Sequence, residues 1–254
     1  MAALHPPPSA PLVFITGASS GIGQALASRF ARAGFRLALV ARRSAELQAW
    51  SDAEGHGPER CRVYSADVAD TDSIVAAGLA CLAAQGVPDV VIANAGISIG
   101  MDTAERGDID VMARTFATNN TGLAATFHPF LSAMVARGSG SLVGIASVAA
   151  IRGLPGHGAY CASKAGVVAY CESLRGELRG SGVAVLSAET FADRAFDAIS
   201  AQTSYRVIPW QMGVVAKLLR LLPNPLYDRL LAGRPRKHRE PQPHTRAEPP
   251  EPGA

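Results

Sequence analysis

The residues best suited to carry chemistry are Tyr160 and Lys164, which lie four positions apart in a segment expected to be helical. Residues at this spacing share one face of a helix, so both side chains can reach one site. A cation fixed beside a phenol favours the phenolate, which lets the phenol exchange a proton near neutral pH. By itself the pair is a weak signal, because helix surfaces often carry this spacing by chance.

A glycine-rich turn near the N-terminus is a second candidate site. The segment Thr16–Gly23 (TGASSGIG) follows the apolar run Leu12–Ile15, which predicts a buried strand, and precedes Gln24–Ala33, which predicts a helix. Glycine permits a tight turn and lets backbone N–H groups approach a pyrophosphate at the start of a helix. The alternative is a glycine-rich turn without a ligand, which the strand–turn–helix context disfavours. The glycines of the turn are Gly17, Gly21 and Gly23.

Two further polar residues occupy positions from which they could face a ligand. Ser147 follows the predicted strand Ser141–Ala146, and ligands of parallel sheets bind beyond the carboxyl ends of the strands. Asn119 lies in the predicted helical segment Asp108–Pro129, shortly before Gly122. Taken singly, each is more often a helix cap or a surface group.

Together these motifs resemble the short-chain dehydrogenase/reductase family, over roughly Pro11 to Leu186. The resemblance is specific because six motifs keep their order and spacing. It implies a Rossmann-type fold and nicotinamide-dependent interconversion of a carbonyl and an alcohol in a small-molecule substrate. The matching motifs are TGASSGIG (16–23), Asp67-Val68, Asn94-Ala95-Gly96, Asn119-x-x-Gly122, Ser147 and Tyr160-x-x-x-Lys164.

The resemblance also implies a role for each site residue. Tyr160 is expected to be the catalytic acid and base, and Lys164 to hold the nicotinamide ribose beside it. Ser147 is expected to hydrogen-bond the substrate oxygen, and Asn119 to support a proton relay behind Lys164. Asp67 would accept from the adenine amino group. The expected cofactor-binding residues are Gly17, Ser19, Ser20, Gly21, Ile22, Gly23, Arg42, Asp67, Val68, Asn94, Ala95, Gly96, Tyr160 and Lys164.

The fold class follows independently from the alternation of apolar, strand-like runs with helical patterns. Such alternation predicts an α/β fold with one doubly wound parallel sheet and helices on both faces. A hydrophobic content of 48% in 254 residues suffices for the core of one such domain. We assign residues 1–10 to an N-terminal tail and residues 11–209 to the dinucleotide-binding and catalytic domain.

Charge and cysteine content exclude other classes. The net charge is only +3, from 24 basic and 21 acidic residues, and no basic face with interleaved aromatic residues argues for nucleic acid. The first residues, MAALHPPPSAP, lack the apolar region of a signal peptide. The cysteines lack zinc-type spacing, so we predict no metal site and a reduced, cytoplasmic setting. They are Cys61, Cys81, Cys161 and Cys171.

The end of the second predicted strand, Phe35–Val40, bears on the choice of cofactor. Enzymes that use NAD commonly carry an acidic residue near this point, whereas this chain has Ala41, Arg42 and Arg43. A guanidinium there would pair with the 2′-phosphate of NADP. We therefore predict NADP, with Arg42 as the first choice of ligand, and NAD as the less favoured cofactor. The alternative is two solvated arginines at the start of a helix.

The chain departs from the family pattern after the predicted strand Val183–Leu186. Relatives usually continue with Pro-Gly and a long segment that covers the substrate, whereas Ser187–Arg194 has helical periodicity here and a strand-like run, Tyr205–Ile208, follows promptly. Three interpretations stay open: a short and open substrate site, a segment omitted from the chain, or an inactive variant. The last leads to the alternative of a catalytically impaired dinucleotide-binding or scaffold protein.

The C-terminal part predicts a helical extension over residues 210–232 and a disordered tail over residues 233–254. Trp210–Leu231 is apolar but too short and too interrupted by proline to span a membrane. We favour packing on the protein's own cleft or on a partner subunit, with peripheral membrane contact as the alternative. The family resemblance implies a homodimer or homotetramer formed by the helices at Asp108–Arg137 and Ala159–Arg179.

Overall fold

One sheet of seven parallel strands forms the centre of the computed structural model, which describes residues 10–189, 196, 205–207, 218, 220–232 and 237–239. The strands are β1 (Leu12–Thr16), β2 (Arg36–Ala41), β3 (Cys61–Ser65), β4 (Val90–Ala93), β5 (Gly140–Ile145), β6 (Val183–Glu189) and β7 (Tyr205–Val207). Their order across the sheet is β3-β2-β1-β4-β5-β6-β7. The winding direction reverses between β1 and β4, which is where ligands bind in sheets of this kind.

Seven α-helices and two shorter helical turns accompany the strands within the described residues. The α-helices are α1 (Gly21–Arg32), α2 (Ser44–Ala53), α3 (Thr71–Gln85), α4 (Asp108–Phe116), α5 (Gly122–Arg137), α6 (Gly158–Glu177) and α7 (Asn224–Leu231). A π-helical turn at Ala117–Thr121 joins α4 to α5, and a 3-10 turn at Val148–Ala150 follows β5. No helix among these residues is long and apolar enough to cross a membrane.

Helices cover both faces of the sheet, as β1 illustrates. Leu12 and Phe14 pack into a core with residues of α3, α5 and α6, whereas Val13 and Ile15 pack into a second core with residues of α1 and α2. All five residues of β1 are buried, because alternate side chains enter opposite cores. The predicted α/β fold with a doubly wound parallel sheet is therefore confirmed.

The segment after Leu186 differs from the prediction. Ser187–Glu189 continues β6, and Ser187 pairs with both Gly144 of β5 and Tyr205 of β7. The predicted helix at Ser187–Arg194 is therefore wrong for its first three residues, because pairing on both sides of the strand outweighs the local periodicity. The predicted strand Tyr205–Ile208 is confirmed over Tyr205–Val207. Residues 190–195 lie outside the described residues, and with them most of the predicted helix.

Part of the predicted C-terminal extension packs onto the loop before α6. The ring of Tyr227 in α7 is buried, and its hydroxyl donates to the Gly153 carbonyl at 2.8 Å. The Arg152 guanidinium lies 3.8 Å from the centroid of the same ring and also donates to the Leu222 carbonyl at 2.7 Å. Residues 210–217 of the extension lie outside the described residues.

Three residues of the predicted disordered tail make long-range contacts. Lys237–Arg239 lies beside Gly100, whose N–H donates to the His238 carbonyl at 3.2 Å. Arg239 also pairs with Asp108 at the start of α4. The prediction of disorder is wrong for these three residues, because it was drawn from local composition and the contacts join distant parts of the chain. The other residues from 233 onward, and residues 1–9, lie outside the described residues.

Candidate active site

The glycine turn joins β1 to α1 in a form that can hold an anion. Gly17 and Gly21 have φ values of +66° and +55°, which side chains rarely tolerate. A Cβ atom on Gly17 would lie 2.8 Å from the Cα of Ala95, so only glycine permits this approach. Ser20 precedes α1 and makes no side-chain capping bond, and the first turn of the helix carries no acidic residue. Exposed backbone at the positive end of a helix therefore suits a pyrophosphate.

Asn94 and Thr16 hold this turn in place. The Asn94 amide donates to the carbonyls of Thr16 at 3.0 Å and Gly17 at 3.2 Å. In return, the Thr16 hydroxyl accepts from the backbone N–H groups of Asn94 and Ala95. The family resemblance implies that Asn94 binds the cofactor, and it gives no role to Thr16. In the structure, the Asn94 side chain joins the ends of β1 and β4.

Arg42 and Asp67 lie together at the far end of the site, beyond β2 and β3. Their charged groups are 3.8 Å apart, and the side chains are 71% and 44% exposed. A pair this exposed contributes little to stability, so Arg42 can turn to an incoming anion at small cost. Asp67 accepts from the Ala69 N–H at 3.0 Å, which fixes its carboxylate at the turn. The neighbouring Val68 is buried.

The side chain of Asn119 connects three parts of the site from within the π-helical turn. Its Oδ1 atom accepts from the Ile97 N–H at 2.8 Å, and its Nδ2 atom donates to the Ile97 carbonyl at 3.0 Å. Nδ2 also donates to the Ser163 hydroxyl on α6 at 2.9 Å. A π-helical turn is rare and adds a residue to the helix. Here it directs Asn119 between the loop after β4 and the catalytic candidates on α6.

Lys164 is the most strongly perturbed titratable group of the site. Its side chain is 5% exposed, and its ammonium donates to the Ile145 carbonyl at the end of β5 at 2.6 Å. Burial lowers the pKa of Lys164 to about 8, because a charged group loses hydration there. Gly96 passes close to this group, and a Cβ there would lie 3.5 Å from the Lys164 Nζ.

Tyr160 lies one helical turn before Lys164 on α6, and its side chain is half-buried. The Lys164 ammonium is 5.9 Å from the centroid of its ring. A second ammonium, that of Lys237, is 5.6 Å from the same centroid. The predicted pairing of Tyr160 with Lys164 on one helix face is present. Sequence reasoning missed Lys237, which no local pattern connects to this helix.

Ser147 follows β5 and caps the short 3-10 turn. Its Oγ atom accepts from the Ala149 N–H at 3.2 Å, which leaves the hydroxyl hydrogen available for a substrate oxygen. The side chain is half-buried. Ser147 therefore lies just beyond the carboxyl end of β5. The last residue of that strand, Ile145, supplies the carbonyl that accepts from the Lys164 ammonium.

The geometry arranges the predicted residues in two groups. Asn119, Tyr160 and Lys164 form one group on α6 and the π-helical turn, with Ser147 at the adjoining strand end. The glycine turn, Arg42 and Asp67 form the other group, beyond β1, β2 and β3. This arrangement fits an extended dinucleotide that lies across the carboxyl edge of the sheet, with its phosphates at α1.

Comparison with known proteins agrees with this geometry. A family model described as short chain dehydrogenase matches residues 11–191. An uncharacterized oxidoreductase of Myxococcus xanthus is 37% identical over 240 residues, which are 84% of this chain and 93% of that protein. The chain therefore belongs to the short-chain dehydrogenase/reductase family. It is a dinucleotide-dependent oxidoreductase that acts on a carbonyl/alcohol pair.

Two further relatives are similar over most of the domain. A sulfoacetaldehyde reductase of Chromohalobacter salexigens is 38% identical over 176 residues, which are 68% of each chain. The crystal structure of a metagenomic short-chain oxidoreductase in complex with NADP has a TM-score of 0.69 and is 27% identical, covering 78% of this chain and 96% of that one. Two other relatives are longer, and the chain spans 54% of the length of one and 56% of the length of the other.

Proposed function

We propose that this oxidoreductase uses NADPH to reduce a carbonyl group of a small molecule, with Tyr160 as the acid and base. The observation that carries the proposal is the phenol of Tyr160 next to the buried ammonium of Lys164, 5.9 Å from its ring centroid. A cation in a site of low dielectric interacts with a nearby phenolate more strongly than it would in water.

Each site residue has a separate task in the proposed reduction. The nicotinamide, when bound, supplies the hydride that reaches the carbonyl carbon. Tyr160 donates its phenolic proton to the carbonyl oxygen, which becomes the alcohol oxygen, and Ser147 donates a hydrogen bond to the same oxygen. Lys164 stabilises the phenolate that remains. Asn119 is a positioning residue, because its amide bonds reach only Ile97 and Ser163 among the described residues.

The cofactor assignment rests on Arg42 and the glycine turn. Arg42 follows β2 with an exposed guanidinium, and β2 ends in Ala41, where an enzyme that prefers NAD commonly has a carboxylate. The solved relative in complex with NADP supports the same choice, and the relative described as a sulfoacetaldehyde reductase supports the direction of reduction. NAD is the less favoured cofactor.

Substitution of Tyr160 by phenylalanine tests the proposal. Tyr160→Phe keeps the ring and removes the proton, so turnover should fall by about 100-fold to 10,000-fold while NADPH binding stays within about twofold. The assay is NADPH oxidation over a panel of ketones, aldehydes and quinones, with binding followed by NADPH fluorescence. Tyr170→Phe is the matched control, because Tyr170 lies on the same helix and is 38% exposed.

The alternative of a catalytically impaired or scaffold protein is not favoured by the family relatives. It would gain support if the wild-type chain bound NADPH and reduced no member of the panel. Equal turnover of Tyr160→Phe and the wild type would instead refute the assignment of Tyr160.

Assembly and location are further parts of the proposal. Exposed apolar side chains on α4 and α5, among them Ile109, Met112 and Val135, support association into a homodimer or homotetramer through these helices and α6. We place the protein in the cytoplasm. Exposed leucines near the C-terminus support peripheral membrane contact as an alternative to a subunit contact, and these are Leu218, Leu221, Leu226 and Leu230. Light scattering and vesicle flotation distinguish the two.

A further inference from the structure

A short C-terminal segment, Lys237–Arg239, crosses the loop that follows β4. The Gly100 N–H donates to the His238 carbonyl at 3.2 Å, and Gly100 pairs in parallel with Arg239. A Cβ atom on Gly100 would lie 2.6 Å from the His238 carbonyl oxygen, and even nearer to that of Lys237. Only a glycine at this position therefore lets the segment approach so closely.

An ion pair with a buried carboxylate anchors the same segment to α4. Arg239 Nε donates to Asp108 Oδ2 at 2.7 Å, and the Asp108 side chain is 1% exposed. The same carboxylate oxygen accepts from the Asp102 N–H at 2.6 Å. Breaking a pair in which one member is this buried is unfavourable, because the carboxylate would stay in a poorly hydrated site. The segment is thus held at a defined place.

This anchoring places Lys237 at the active site. Its ammonium donates to the Ser98 hydroxyl at 2.5 Å and lies 5.6 Å from the ring centroid of Tyr160. Among the described residues, Lys237 has no carboxylate within 4 Å. Ser98 is a neutral partner that takes one N–H of the ammonium, so two further N–H donors are left for an anionic ligand.

We propose that Lys237 binds an anionic group of the substrate, and that the substrate is a small oxo acid with a carboxylate or similar oxyanion. The inference rests on the proposed function, because it takes the carbonyl to bind at Tyr160. In a substrate whose carbonyl lies at Tyr160, the anionic group that reaches Lys237 is then separated from the carbonyl by only a few covalent bonds. The charged hydrogen bond would favour the acid over a neutral analogue of the same shape by about tenfold to a hundredfold.

The test compares acids with their methyl esters in the full-length chain. Acetoacetate and succinate semialdehyde are each paired with the methyl ester, and kcat/KM is measured with NADPH. We expect the wild type to favour the acids at least tenfold. Lys237→Met should lower kcat/KM for the acids, chiefly through KM, at least ten times more than for the esters. Lys237→Arg keeps the cation and should retain most of the preference.

A binding measurement separates this inference from the proposed function. In the Tyr160→Phe background, calorimetry with NADP present should show that acetoacetate binds at least tenfold more weakly once Lys237→Met is added. That result stands whether or not Tyr160 is the acid. Equal losses for acids and esters, or equal acetoacetate binding with and without Lys237, would overturn the role of Lys237. Turnover that survives Tyr160→Phe would overturn only the proposed mechanism.

Discussion

Burial of the Lys164 ammonium makes a prediction about stability that can be worked out from the structure. The side chain is 5% exposed, and burial lowers the pKa of Lys164 from 10.5 to about 8. At about 1.4 kcal/mol per pKa unit, holding this charge in the folded state costs about 3 kcal/mol at pH 7. Replacing Lys164 with methionine removes that cost. It also removes the 2.6 Å bond to the Ile145 carbonyl, which is worth about 1.5 to 3 kcal/mol.

The pH dependence distinguishes these two effects. Below pH 8 the folded and unfolded chains both carry the proton, so the full penalty is present. Between pH 8 and 10.5 the folded chain has released the proton and the unfolded chain still holds it. The wild type therefore gains up to about 1.4 kcal/mol of stability per pH unit in this window. Lys164→Met lacks this gain.

We expect the free energy of unfolding of Lys164→Met, relative to the wild type, to fall by about 2 to 3 kcal/mol between pH 7 and pH 10. Urea unfolding of the apoprotein, followed by far-UV circular dichroism, measures this difference, and titrations common to both proteins cancel. Lys164→Gln is the control, because it is neutral and keeps a donor for Ile145. It should show the same pH profile. A difference that is constant from pH 7 to pH 10 would refute the argument that burial lowers the pKa of Lys164.

Two other substitutions test the cofactor site and the π-helical turn. Arg42→Ala should raise the Michaelis constant for NADPH about tenfold or more, and that for NADH less than about twofold, because only NADPH carries the 2′-phosphate. The control is Arg43→Ala, since the Arg43 guanidinium pairs with Glu46 of α2 at 3.2 Å. Equal effects of Arg42→Ala on the Michaelis constants of both cofactors would refute the NADP assignment. Asn119→Ala leaves the Ile97 backbone and the Ser163 hydroxyl without their partner, so unfolding should become easier by about 2 to 4 kcal/mol in a urea titration. A loss of less than about 0.5 kcal/mol would mean that this amide does not hold the loop to α6.

The sequence by itself determined the elements and the local motifs of this protein. The apolar run of β1 and the glycine turn after it specify a strand, a turn and a helix start through neighbouring residues alone. The spacing of Tyr160 and Lys164 specifies a shared helix face for the same reason. Because such patterns act over a few residues, they predicted strands alternating with helices and hence the parallel sheet. The candidate site residues came from the family resemblance that these motifs carry.

The tertiary structure alone decided which groups surround the reacting phenol. Lys237 reaches Ser98 across 139 positions of sequence, and Arg239 reaches Asp108 across 131. The amide of Asn94 bonds to the end of β1 across 78 positions. The depth at which Lys164 is buried depends likewise on helices and strands that meet only after folding. Contacts between residues so far apart in sequence form only when distant parts of the chain pack together. Composition and periodicity do not indicate which parts those are.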